Sequence, residues 1–508
     1  MSPPWSLDDV DLVRLERLAS RMALQIKPGD VIALKGPLGA GKTTLARFLI
    51  GRLGGQGEVP SPTFALMQTY ATPRLIVHHC DFYRLQPAEL EELGLDDALS
   101  QGALIVEWPE RATAWLPADR LDIALHETAT PDLRRLVLEG HGTWQARLAR
   151  LAALGEFTEA TAFAEADAHY LQGDASTRAY ARLVLPGRTA ILMNAPRQPD
   201  GPPIRDGKPY SALVHLAEDV APFVALARAL RERGLSAPEI YAFDLDQGFM
   251  LLEDFGDRVF GSELASGHPM LALYGAALDV LLALGSEPPL KRLPIEGRAA
   301  YTLPDFDAAA MLTEAMLLID WYWPALHGKP APDAVREEFI GLWQPLLHQA
   351  AQADRAWALR DFHSPNLMWL PEREGVKRVG LLDFQDALAG PAAYDLVSLL
   401  QDARVDVPEA LEAELLDRYC AARGARDPHF SSEQFRTLYA TLGAQRSSKI
   451  LGIFARLAKR DGKRGYLSHL PRVARYLERN LAHPGLAALR AWYARQLPSL
   501  GQLPPLHL

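Results

Sequence analysis

Residues 31–53 read VIALKGPLGAGKTTLARFLIGRL. Val31-Ile32-Ala33-Leu34 is an apolar run of strand length, and the segment from Thr43 to Leu53 repeats its apolar residues at helical spacing. Between them, Gly36-Pro37-Leu38-Gly39-Ala40-Gly41-Lys42-Thr43 fits G-x-x-x-x-G-K-[ST], in the strand, loop, helix context that this phosphate-binding pattern requires. From average residue frequencies, a chance match in a chain of this length is on the order of one in a hundred before context is counted. The glycines let backbone N–H groups close around phosphate oxygens, and the helix N-terminus adds a favourable dipole. Gly36, Leu38, Gly39, Ala40, Gly41, Lys42, Thr43 and Thr44 are the expected nucleotide contacts, with Lys42 on the β/γ phosphates of ATP and the Thr43 hydroxyl on Mg²⁺.

Working outward, residues 11–25 predict a helix from Leu12, Leu15, Leu18, Ala19 and Met22. Strands are expected at Leu75–His79 and Ala103–Glu107, with a helical run Pro87–Leu99 between them, the alternation of a parallel α/β sheet. Leu121–Leu125 and Arg135–Leu138 read as an edge hairpin closing the unit. Hydrolysis needs a metal-orienting carboxylate and a water-positioning group from neighbouring strand ends, and Asp81 and Glu107 are the candidates. Taken singly, each also reads as a solvent-facing acid. His78-His79 reads as a strand end rather than a metal site. Residues 142–170 are Ala-rich and helical with no sheet signal, so a boundary is expected near 150.

The second half opens with strands Ala179–Leu185 and Thr189–Met193 around the turn Pro186-Gly187-Arg188, followed by an exposed loop Ala195–Pro209 and a strand Met250–Leu252. From about 260 the pattern is helical, interrupted by Val379–Phe384. That order predicts a small β-rich lobe of about 165–257 and a large helical lobe of about 258–508. Leu359-Arg360-Asp361-Phe362-His363-Ser364-Pro365-Asn366 and Leu381-Leu382-Asp383-Phe384-Gln385-Asp386 pair a candidate base, Asp361, with candidate metal ligands Asn366 and Asp383, in the order and separation that kinase-fold phosphoryl transfer requires. Arg446, Lys449 and Arg456 flank one helical face, which reads as a solvated basic face or as a site for an anionic substrate group.

At 508 residues the chain exceeds one ordinary core, since single domains usually stop growing at roughly 250–300 residues. Hydrophobic residues make up 48% and charged residues 23%, a globular composition. A net charge of −10 argues against strong direct nucleic-acid binding. Cys80 and Cys420 are too few for a disulfide framework. The first twenty residues lack the basic region and apolar run of a secretory signal, and no later stretch approaches ~18 uncharged apolar residues, so a cytoplasmic protein without membrane contact is expected.

Ser61-Pro62-Thr63-Phe64, Cys80-Asp81-Phe82-Tyr83-Arg84-Leu85 and Glu107-Trp108-Pro109-Glu110, in this order after the phosphate loop, resemble the TsaE family of bacterial ATPases over residues 5–147. The resemblance implies a P-loop α/β domain, with Asp81 and Glu107 serving metal and catalytic water, and Thr63 sensing the γ-phosphate. It also implies that the domain acts with protein subunits of the complex that makes threonylcarbamoyladenosine at position 37 of tRNA. Cys80 stands where that family more usually has an apolar aromatic.

Residues 150–508 resemble the aminoglycoside phosphotransferase and choline kinase superfamily. Leu382-Asp383-Phe384-Gln385-Asp386-Ala387, Gly390-Pro391, Tyr394-Asp395-Leu396, Gly173-Asp174-Ala175-Ser176 and Gln445-Arg446 look like its AmgK branch, anomeric kinases of N-acetylmuramate and N-acetylglucosamine in cell-wall recycling. By this resemblance the fold is protein-kinase-like, α+β and bilobal. Gly173, Ser176, Thr177 and Arg178 line the loop over ATP, Glu253 lies at the adenine hinge, and Asp395 braces the catalytic loop. Two departures stand out: Leu359 replaces the usual His, and Ile191-Leu192-Met193 lacks the usual phosphate-clamping Lys, so that either Arg178 or Arg182 substitutes or nucleotide binding is weak. The expectation is a fusion of a P-loop ATPase, residues 1–148, with a kinase-fold amino-sugar phosphotransferase, residues 149–508. An aminoglycoside kinase, or a non-catalytic nucleotide-binding regulator of the tRNA-modification complex, is the alternative for the second half.

Overall fold

Val31–Lys35 becomes the central strand of a seven-stranded sheet, buried on both faces as its unbroken apolar run requires. The structure is a computed structural model, and it describes residues 4–62, 65–85, 89–90, 92–171, 178–197, 201–497 and 500. The chain divides into two units, Met1–Pro196 with Tyr241–Asp254, and Arg197–Ile240 with Phe255–Leu508.

In the first unit, the elements are β1 (Trp5–Val10), α1 (Leu12–Ala23), β2 (Val31–Lys35), α2 (Lys42–Arg52), β3 (Met67–Ala71), β4 (Ile76–Asp81), α3 (Leu95–Gln101), β5 (Gly102–Glu107), β6 (Arg120–Glu127), β7 (Arg134–His141) and α4 (Trp144–Glu159). The sheet order is β1-β7-β6-β2-β5-β4-β3. β4, β5, β2 and β6 run parallel, flanked by antiparallel β3 on one side and β7 with β1 on the other. The two faces sort by the period-2 alternation of strands: Ile32, Leu34, Ile105 and Ile123 pack under α1, α2 and α4, while Val31, Leu104, Val106 and Cys80 face α3. Burial there pushes the Cys80 thiol up to about 12, so it is an inert core group.

Several elements differ from expectation. The β6–β7 hairpin is not the edge, because β1 pairs outside β7 with Leu7 opposite Leu136; the acidic Asp8-Asp9 masks the alternation of this strand. β3 is absent from the sequence pattern because Met67–Ala71 carries no clear apolar face. The helix expected over 87–99 is α3, starting at Leu95 after Gly94 adopts φ +59°; residues 86–88 and 91 lie outside the described residues.

A second sheet, of five strands, begins with β8 (Asp167–Leu171), β9 (Ala179–Leu185) and β10 (Arg188–Asn194), and continues through Phe249–Glu253 to Ile240–Asp244. β8 arises inside the stretch read as purely helical, since Asp167-Ala168-His169-Tyr170-Leu171 is too short to show a period of its own and pairs with β9 through Ala168 opposite Leu183. α4 joins the two sheets. Trp144, Leu148 and Leu151 in its first half belong to the seven-stranded core, whereas Leu154 packs with Phe163, Ala168, Ala181, Leu192 and Phe249. Polar clamps repeat the division. Arg147 grips Asp30 through two 2.6 Å bonds, one to each carboxylate oxygen, and Arg150 donates to Asn194 Oδ1 at 2.8 and 2.5 Å. Residues 148 and 149 lie within this continuous helix. Ala152→Pro, mid-helix between the two cores, is expected to cost about 3 kcal/mol or more of stability, read as a lowered urea midpoint of the full chain.

The second unit is largely helical. Its principal element is the helix Ser432–Arg460, 29 residues long, packed against Leu470–Leu481, Ala393–Leu400 and Ala308–Ala315. The expected loop Ala195–Pro209 contains a short ladder, Pro203–Arg205 with Lys208–Pro209. Two small antiparallel pairs carry the catalytic segment: Arg355–Ala358 with Leu388–Pro391, and Leu367–Trp369 with Val379–Leu381. Among the described residues no helix is long and apolar enough to cross a membrane.

Candidate functional site

The first candidate site forms where β2, β4 and β5 end together. Gly36 leaves β2 at φ +140°, and a Cβ there would meet the Leu125 carbonyl oxygen at 2.5 Å, so only glycine fits. Gly41 caps α2 at φ +105°, and Gly39 turns the loop at φ +83°. Leu38 is exposed at the loop tip, while Ala40 is buried, its carbonyl accepting a 3.1 Å bond from Arg134 Nε of β7. Lys42 Nζ donates to the Gly36 and Pro37 carbonyls at 2.8 and 2.9 Å and lies 3.8 Å from the Trp108 ring centroid. Its pKa is lowered by burial, against the opposing pull of Glu107, Glu110 and Asp81.

Parallel pairing of β4 and β5 sets Asp81 directly beside Glu107. Both are buried, at 4% and 2% exposure, which excludes the solvent-facing alternative for each. The Thr43 hydroxyl donates to Glu107 Oε2 at 3.0 Å, and the Ser61 hydroxyl donates to Asp81 Oδ2 at 3.0 Å. His79 Nε2 lies 2.9 Å from Glu107 Oε1, with both side chains out of solvent. A hydroxyl and two carboxylates are hard oxygen donors of the number that Mg²⁺ takes from protein when phosphates and water complete its shell. Thr44 follows Thr43 in the first turn of α2, partly buried. Thr63 lies outside the described residues.

The second candidate site lies in the second unit. The catalytic segment leaves strand Arg355–Ala358 and is pinned at both ends. Asp395 accepts from the Leu359 and Arg360 N–H groups at 2.5 and 2.9 Å, and Asp402 accepts from the Ser364 N–H at 2.9 Å. Full burial pushes Asp395 up to about 7 despite those two bonds. Arg360 stands at φ +71° and Asp383 at φ +55°, the left-handed region that bulky residues enter mainly at functional positions. Asn366 enters the hairpin and Asp383 leaves it: Leu367 pairs with Leu381, and Leu382 N–H donates to the Asn366 carbonyl at 3.0 Å. Asn366 Nδ2 also donates to the Asp361 carbonyl at 3.0 Å, so the base candidate and both ligand candidates share one hydrogen-bonded turn. Burial would raise the Asp361 pKa, but Lys449, His363, Arg446 and Arg360 together hold it below the usual carboxylate value.

Beneath this turn lies a charge cluster that is distant in sequence. Glu314 is fully buried and receives Arg360, Lys449 Nζ at 2.7 Å and Gln445 Nε2 at 3.2 Å. The solvated-face alternative for Arg446 and Lys449 is thereby corrected: Arg446 is 5% exposed and the Lys449 side chain 12%. Of the remaining expected nucleotide contacts, Arg178 and Glu253 lie in the first unit, Glu253 opposite Ala190, while Gly173, Ser176 and Thr177 lie outside the described residues. Arg182 is bound to Asp254 by two bonds of 2.7 and 3.1 Å.

The family model for threonylcarbamoyl adenosine biosynthesis protein TsaE matches residues 11–136, and that for the phosphotransferase enzyme family matches residues 167–432. An N-acetylmuramate/N-acetylglucosamine kinase of Caulobacter vibrioides is 40% identical over 358 residues, 69% of this chain and 97% of the relative. A protein of the same description from Pseudomonas aeruginosa is 35% identical over 319 residues, 62% of this chain and 84% of its own length. The tRNA threonylcarbamoyladenosine biosynthesis protein TsaE of Rickettsia bellii is 40% identical over 112 residues, 22% of this chain and 78% of the relative. The chain belongs to both families. It is a fusion enzyme in which a TsaE part and a phosphotransferase part share one polypeptide.

Residues beyond the expected set also contribute. In the TsaE part, His79 and Arg134 reach Glu107 and the phosphate loop from other strands. In the phosphotransferase part, Asp402 and Glu314 hold the catalytic segment. His79 stood in a visible pair with His78, but nothing local marks which acid it meets. Asp402 and Glu314 resemble any acid on an apolar helix or at its end until the fold buries them.

Proposed function

We propose that the chain combines two ATP-dependent activities: ATP hydrolysis by residues 1–148 in tRNA threonylcarbamoyladenosine formation, and ATP-dependent phosphorylation at carbon 1 of N-acetylmuramate and N-acetylglucosamine by residues 149–508. Support for the second comes above all from the shared turn of Asp361, Asn366 and Asp383 in a chain 40% identical to a kinase of those sugars over nearly all of that relative. Asp361, ionised at neutral pH, accepts the proton of the carbon-1 hydroxyl as its oxygen attacks the γ-phosphorus and the bond to ADP breaks. Asn366 and Asp383 would hold Mg²⁺, which neutralises charge on the triphosphate. Gly173, Ser176, Thr177, Arg178 and Glu253 are the proposed ATP contacts of this half.

In the first half, the loop from Gly36 to Thr44, including Leu38, Gly39, Ala40, Gly41 and Lys42, cradles the phosphates. Thr43, Asp81 and Glu107 would hold Mg²⁺ and orient water, and Thr63 would respond to the γ-phosphate. Burial beside His79 and Thr43 fixes the Glu107 carboxylate on both oxygens, as a water-positioning group requires. The partners proposed for this half are the protein subunits of the tRNA threonylcarbamoyl-transfer complex. An aminoglycoside acceptor is disfavoured because a polycation would meet Arg446 and Lys449 near Asp361.

The test is incubation of the full chain with MgATP and each amino sugar, followed by phosphorus NMR. An anomeric phosphate supports the reading, and ATP turnover without any sugar phosphate removes it.

A further inference from the structure

Arg446, Lys449 and Arg456 occupy one face of the helix Ser432–Arg460, three and ten residues apart, and that face turns toward Asp361 and Tyr210. One of the three charges, Lys449, is accounted for by a protein acid. Lys449 pairs with the buried Glu314 and lies 3.3 Å from the Tyr394 hydroxyl. Arg456 lies against the Tyr210 ring, 5.5 Å from its centroid, with its Nε closed off from solvent and from any approaching ligand.

Arg446 differs. It is 5% exposed, yet among the described residues no hydrogen bond or ion pair is made by its side chain. Glu314, the fully buried acid of the cluster, is already taken by Arg360, Lys449 and Gln445. Asp395, also within its electrostatic reach, spends both oxygens on the N–H groups of the catalytic segment. None of its nitrogens is fully buried and unpartnered, so the guanidinium keeps a narrow opening through which an anionic ligand can reach it. Its other electrostatic neighbours, Asp361, His363 and Tyr394, place it near the base.

We propose that Arg446 is the specificity-determining residue of the phosphotransferase site and receives the carboxylate of an acidic amino-sugar acceptor. This rests on the sugar-kinase reading above. The planar fork of a guanidinium matches a carboxylate bidentately, which an ammonium does not. N-acetylmuramate carries a carboxylate on its lactyl arm and N-acetylglucosamine does not, so only the former fills the fork. The same burial that makes an unpartnered guanidinium costly makes its pairing with a substrate carboxylate strong.

The experiment uses the full chain and compares kcat/KM for N-acetylmuramate, its lactyl carboxamide and N-acetylglucosamine. The wild type should prefer the acid over the carboxamide by roughly tenfold or more, the scale of a lost charge-assisted hydrogen bond. Arg446→Gln should bring that ratio close to one, through KM, and Arg446→Lys should restore part of it. A wild-type enzyme that treats acid and carboxamide alike overturns the assignment without recourse to any variant. Equal loss on all three sugars in Arg446→Gln overturns it too, since that pattern belongs to a group acting on the transferred phosphoryl. Transfer to none of the three by the wild type removes the sugar-kinase reading and this assignment with it.

Discussion

Asp361→Asn should lower kcat for sugar phosphorylation by about 10²–10⁴-fold, the usual contribution of a positioned base. The substitution keeps the shape of the side chain while removing the carboxylate that accepts the acceptor's proton. The catalytic turn should survive it, because Asn366 holds the backbone carbonyl of Asp361, and Asp395 and Asp402 hold the flanking N–H groups. The loss should therefore fall on kcat, with the KM for ATP much less affected. The surroundings of Asp361 also set its pH behaviour. Burial raises its pKa, but Lys449, His363, Arg446 and Arg360 outweigh burial and bring it below 3.8. A group held below its ordinary pKa is ionised everywhere above it, so the acid limb of kcat/KM due to this base should lie under about pH 4, with none between pH 5 and 7. Steady-state kinetics across that range check both statements, and an acid limb near pH 6 would assign the proton to another group.

Lys42→Ala should reduce ATP hydrolysis by the TsaE part at least about 10²-fold, because the charge meeting the β/γ phosphates is lost in a water-poor loop. In the protein itself Lys42 contributes two hydrogen bonds to the Gly36 and Pro37 carbonyls and the contact over Trp108. The loop conformation depends instead on Gly36, Gly39 and Gly41 and on Arg134, which all remain. The measurement belongs in the Asp361→Asn background, where turnover by the phosphotransferase part is suppressed. Sugar phosphorylation by Lys42→Ala alone is the companion assay. Near-normal rates would mean that the two active sites work separately, and a large fall would mean that occupancy of the phosphate loop is felt through the helix shared by the two sheets.

Much of both sites was legible before any fold was known, because each depends on short spans with strict chemistry. The run from Val31 to Leu53 contains the strand, the glycines and the cation of a phosphate cradle. Asp361, Asn366 and Asp383 stand at separations that one strand pair closes. Strand ends told where Asp81 and Glu107 would lie, and the parallel register put them side by side. The strands β1, β3 and β8 were not legible, since each is short, polar or acidic: β1 acquires its identity only by pairing with β7 far along the chain, and β3 and β8 by pairing with the strand that follows each. Nor was α4 legible as a joint. Its apolar residues predict a helix, but the assignment of Leu151 to one core and Leu154 to another depends on which sheet each half covers.

By itself, then, the sequence determined the two catalytic segments and the order of the domains, because backbone freedom, charge type and spacing act within a few residues of one another. Only the tertiary structure decided how charges are shared. Lys449 and Arg446 lie three residues apart on one helix and look alike in the sequence, but Glu314, more than a hundred residues away, is close enough to pair with one and makes no bond to the other. Coulomb attraction in a buried site depends on distances that the fold alone sets.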